Sequence, residues 1–184
     1  MRQDVGVLTS NAIFEKLFVL GVLFLSRRKE DDRKMRYHTR NELEHFNFQD
    51  AVVADMRIHP GCFYLELDQV TITAENSCNR DIRNMRTNGL CLKLQDGELV
   101  SFVREAYRVY DADGNLTQTE EDESIDVGKD GAVLQQMQNA TVYEIVQTDG
   151  IYHIELDVEE YTYHIAVKAS NDVEEWDRFL NLEE

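Results

Sequence analysis

The sequence predicts a mainly β protein, α+β only in having a few helices: an antiparallel β-sandwich or partly open barrel with an N-terminal helical extension and a C-terminal helix. Three observations carry this expectation. From Phe46 onward apolar and polar residues alternate in short runs with a period of two, the mark of a strand with one buried face. Between the runs lie tight corners at Asp96-Gly97, Asp113-Gly114 and Asp149-Gly150, where glycine accepts the positive φ of a sharp reversal. Short turns rather than helices separate the runs, which favours antiparallel neighbours. With 184 residues and 42% apolar composition, the chain suits one well-filled core and is short for two. Residues 45–184 therefore read as a single acidic β-rich domain and residues 1–44 as an extension.

The extension is apolar, then charged. Val5 to Leu25 ends in LFVLGVLFL, and SRRKEDDRKMR follows. A spanning helix needs about 20 apolar residues with few charges, but Glu15 and Lys16 interrupt this one, and no small-residue cleavage site follows Leu25. Three readings stand: a helix packed on the domain or on a second copy, an anchor in the inner membrane through residues 5–25, or an extension read through from a wrongly chosen start with Met35 the natural beginning. If the segment inserted, its basic cluster would hold the body on the cytoplasmic side.

In the domain, CFYLELDQVTIT places Phe63, Leu65 and Leu67 on one face and Tyr64, Glu66 and Asp68 on the other. DAVVADMRI is its hairpin partner through His59, Pro60 and Gly61. Strands are expected near 48–58, 62–74, 88–95, 98–110, 116–124, 141–148, 151–157 and 161–168. Leu99, Phe102, Val103, Ala106, Tyr107 and Tyr110 also make a helical stripe, and the turn chemistry after Tyr110 decides for strand. Residues 129–138 suit a short helix. NDVEEWDRFLNL reads as a closing helix with Asn171 or Asp172 as N-cap, acids in the first turn, and Val173, Trp176, Phe179 and Leu180 on one face. Trp176 reads as a core plug.

The composition bounds the function. Residues 1–44 carry nine Lys/Arg against seven Asp/Glu, a balance of +2, which leaves ten against twenty-nine, or −19, for residues 45–184. Such a body repels nucleic acid and anionic lipid and favours basic partners or cations. The three cysteines, Cys62, Cys78 and Cys91, form no CxxC pair and no Cys/His ladder, so reduced thiols in a cytoplasmic protein are the simpler account. No nucleophile elbow, P-loop or dinucleotide glycine pattern is present, and neither a catalytic residue nor a cofactor is assigned.

Four stretches are candidates for chemistry or contact. Arg80, Arg83 and Arg86 form the basic cluster of the acidic body, either a partner-docking or anion-binding edge or a solvated loop paired with nearby acids. Glu120, Glu121, Asp122 and Glu123 form an acidic patch suited to a basic partner. In YHIELDVEEYTYHI, a turn over Asp157 to Glu160 would bring His153 opposite His164, with Glu155 and Thr162 one pair further along. Two imidazoles and a carboxylate are transition-metal ligands. Lastly, Tyr143, Tyr152, Tyr161 and Tyr163 could line a barrel mouth that takes a small molecule.

REAYRVYDADGN resembles the entry of a calmodulin-like EF-hand, with Asp111, Asp113 and Asn115 at the first, third and fifth loop positions. That loop requires Gly at its sixth position and a bidentate Glu at its twelfth, where this chain has Leu116 and Asp122. YDADGNLT is also similar to the Tyr-Asp hairpins of bacterial YD-repeat proteins, and Leu116 fits that pattern. The stretch is therefore expected to turn a corner and bind no calcium. From FNFQDAVV through GCFYLEL and YDADGNL to WDRFLNL, the body resembles small, uncharacterised bacterial β-rich proteins, a resemblance that implies no activity. The expected function is a non-enzymatic interaction module for a basic protein partner, immunity-like or regulatory. The alternatives are a small-molecule-binding barrel and a metal-dependent enzyme at the two histidines.

Overall fold

The computed structural model describes residues 35–128 and 131–182, without the side chains of residues 108–110. The helix, anchor and alternative-start readings of residues 1–34 lie outside the described residues. The compact unit begins at Met35, ahead of the boundary expected at residue 45, because residues 37–40 already belong to a sheet. Among the described residues no helix is long and apolar enough to cross a membrane.

The strands are β1 (Tyr37–Arg40), β2 (Phe46–Asn47), β3 (Val52–His59), β4 (Cys62–Asp68), β5 (Val70–Ile72), β6 (Met85–Thr87), β7 (Leu90–Gln95) and β8 (Glu98–Arg104). They continue with β9 (Arg108–Tyr110), β10 (Leu116–Thr119), β11 (Glu123–Ser124), β12 (Thr141–Thr148), β13 (Ile151–Val158), β14 (Tyr161–Lys168), β15 (Asn171–Trp176) and β16 (Leu180–Asn181). Two 3₁₀ turns, Leu43–His45 and Ala132–Met137, are the helical elements described. Ten strands form one antiparallel sheet in the order β1-β15-β7-β4-β3-β12-β13-β14-β8-β11, four form β16-β6-β5-β2, and β9-β10 is a separate ribbon. The end strands β1 and β11 do not pair with each other, so the large sheet is not closed into a barrel.

The hairpins follow the alternation in the sequence. β3 and β4 reverse at Pro60-Gly61, with His59 opposite Cys62 and Gly61 at φ +78. Phe63, Leu65 and Leu67 are fully buried and register with Leu94, Leu92 and Leu90 of β7. On the far side of the sheet, Ile154 and Leu156 of β13 are likewise buried and register with Ile165 and Tyr163 of β14. Both sets belong to one core cluster. The Ala132–Met137 turn adds Leu134 and Met137 to that core, and Gln135 ties it to β3 through Asp55 Oδ1 at 3.0 Å and the Met56 carbonyl at 2.8 Å.

The closing segment corrects an expectation, for it is not a helix. β15 is inserted between β1 and β7 and hydrogen-bonded on both sides, and its inward positions are Asp172, Glu174 and Trp176. Ladder bonds on two flanks satisfy the backbone as completely as a helix does, and tertiary pairing overrides the local helical signal. The core role of Trp176 stands: it is fully buried against Tyr37, Phe46 and Phe179. Between Leu99 and Tyr110 the helical stripe likewise gives way to pairing, since residues 98–104 and 108–110 are strands.

Candidate functional site

The Asp111–Asn115 corner uses its carboxylate on itself. Asp111 Oδ1 accepts hydrogen bonds from the amides of Asp113 at 3.0 Å and Asn115 at 2.8 Å, and Asn115 Nδ2 donates to Oδ2 at 3.1 Å. These donors hold the Asp111 carboxyl below its ordinary range. Leu116 then pairs with Tyr110 across the ribbon, so the stretch turns a corner as expected.

The histidine register is corrected by two residues. β13 and β14 meet at Val158 and Tyr161, which places His164 opposite Glu155 and His153 opposite Ala166. The reversal occupies only Glu159 and Glu160, because Glu159 takes a positive φ of 55 and closes a tighter turn than the sequence suggested. His164 lies between two carboxylates, Glu105 Oε2 at 3.4 Å and Glu155 Oε2 at 3.7 Å. Among the described residues no three His, Cys, Asp or Glu converge in a geometry able to hold a metal ion.

The remaining candidates disperse. Arg80 and Arg83 stand exposed on a loop while Arg86 is part of β6. In the acidic patch, Arg104 Nη2 binds Glu120 at 3.3 Å and Glu123 at 2.8 Å, and Asp122 Oδ1 accepts the Ala106 amide at 2.8 Å. Three of those four acids therefore pin the β8–β11 edge, and Glu121 remains exposed. The tyrosines do not share a mouth: Tyr152 is buried and donates to Asp172 Oδ2 at 2.8 Å, Tyr161 meets Tyr107 edge to face, and Tyr163 leans on Phe102. Of the four, Tyr143 lines an open groove.

That groove, of about 430 Å³, brings together two segments far apart in the chain. One wall is the Leu43–His45 turn running into β2 and on to Phe48. The other is β12, from Tyr143 to Gln147. Phe46 and Phe48 stack with ring centroids 6.0 Å apart and form an apolar floor with Leu43 and Ile145. A β-bulge puts Tyr143 between the paired positions Val142 and Glu144, and a bulge re-aims a side chain. Tyr143 is 57% exposed and Val146 38%. Glu44 and Glu144 add two carboxylates to the lining. The lining thus combines apolar area with negative charge, a combination suited to contact with a cationic surface. Comparison of the chain with protein-family models, with curated proteins and with solved structures finds no match.

Proposed function

We propose that this protein is a non-enzymatic interaction module of sandwich-like build whose groove between Leu43–Phe48 and β12 docks a basic protein partner, in an immunity-like or regulatory role. The observation that carries the reading is the lining itself. Exposed Tyr143 and Val146 beside Glu44 and Glu144 offer apolar contact and a charge that attracts a cationic surface, on a body of net −19. Complementary charge of this kind speeds encounter and excludes acidic competitors. A cytoplasmic location is part of the proposal.

The test is an affinity capture from the source cells at low salt, run in parallel with wild-type protein and Glu44→Lys/Glu144→Lys. Both substituted positions are exposed, so the variant keeps its fold. The expected result is a cationic protein retained by the wild type and lost from the variant. Equal retention by both would remove the groove from the reading.

A further inference from the structure

β12 is a two-sided strand at its start and a one-sided strand afterwards. Val142 donates its amide to the Ala51 carbonyl at 2.8 Å and accepts from the Asp50 amide at 3.0 Å, and β3 registers with β12 only at Thr141 and Val52. Beyond the bulge, Glu144 to Thr148 pair with β13 along one flank, and among the described residues no strand pairs with the other flank. That open flank is the β12 wall of the groove. An unpaired strand edge leaves backbone donors and acceptors without protein partners and is a template for another strand. Here the edge lies inside the large sheet, where β3 diverges from β12, and apolar side chains stand beside it.

We infer that the basic partner enters this groove as an extended segment and adds a strand to the Glu144–Thr148 edge of β12. The inference rests on the interaction reading above and specifies how the docking is made. Strand addition takes affinity from main-chain hydrogen bonds and specificity from pockets for alternate side chains. The groove offers both, with Phe46 and Tyr143 to receive apolar side chains and Glu44 and Glu144 to meet Lys or Arg. The same carboxylates disfavour a second copy as the added strand, since two acidic rims would face each other across the new pairing.

The experiment uses the full chain and two synthetic nonapeptides of equal charge, one alternating Lys and Val, the other with the central Val residues replaced by Pro, which removes the donors and blocks a ladder. The alternating peptide is expected to bind at low ionic strength and to slow amide hydrogen exchange at Glu144 to Thr148. The Pro peptide should bind at least tenfold more weakly, and Glu44→Lys/Glu144→Lys should weaken the alternating peptide by a similar factor. Equal binding of the two peptides at the groove overturns strand addition and leaves the interaction reading standing. Binding of neither at millimolar concentration removes both. A peptide-free dimer with the same amides protected makes a second copy the occupant and overturns the assignment to a basic partner.

Discussion

Glu174 is a carboxyl group with no exposure to solvent, held by Thr39 Oγ1 donating to its Oε2 at 2.7 Å. Burial, then hydrogen bonding and charge from neighbouring Asp172, raise its pKa from 4.5 to about 8. In the unfolded chain the group ionises near its ordinary value, whereas in the folded chain it keeps its proton through neutrality. The folded state therefore binds the extra proton, and stability present below pH 4.5 is lost as the pH rises through 8. The unfolding free energy read from urea melts is expected to fall between about pH 5 and pH 9, by a few kcal/mol in all, because each pH unit between the unfolded and folded values is worth roughly 1.4 kcal/mol. Glu174→Gln should flatten that slope, and an equal slope in the variant would show that the group does not titrate. On the opposite face of the same half of the sheet, burial pushes the Cys91 thiol up to about 11, and its sulfur lies 2.9 Å from the Tyr64 hydroxyl. It should stay unmodified in native protein under mild alkylation, which unfolding would reverse.

At the scale of elements, the Asp96-Gly97 corner is not a hairpin. β7 pairs with β4 and β15 while β8 pairs with β14 and β11, so the corner carries the chain from one flank of the sheet to the other. A Cβ on Gly97 would lie 2.8 Å from both the Leu94 carbonyl oxygen and the Phe63 amide nitrogen. Backbone atoms in paired strands yield little, and Gly97→Ala should lower stability by about 2 kcal/mol or more, read as a depressed thermal midpoint. Asp111→Ala should act more locally: faster exchange of the Asn115 amide with little change in global stability, since the whole corner is exposed. The elements legible in the sequence were those whose buried face is apolar, so β12 and β14 match expectation residue for residue. β15 was hidden because two of its three inward side chains are acids, and period-two alternation with carboxylates inside reads as a solvated helix turn. β2 and β16, two residues each, are too short for any period to register. The groove was illegible for another reason: it depends on a bulge that no glycine marks and on walls drawn from opposite parts of the chain.

For the whole molecule, a formal charge of −17 governs encounter more than fold. Association with a cationic partner should weaken by an order of magnitude or more between about 50 mM and 500 mM salt, with the change mainly in the association rate. A salt-independent rate would mean that apolar contact alone guides docking. The pairing of β1 with β15, fastened where Thr39 meets Glu174 across 135 residues of sequence, sets a different constraint. The two strands are joined by a long stretch of chain, so Tyr37 and Thr39 stay without their native shelter until β15 is in place. Closing so wide a loop is entropically slow, and the seam between these two strands should form late in refolding, read as delayed amide protection along β1 and β15 in a pulse-labelling experiment.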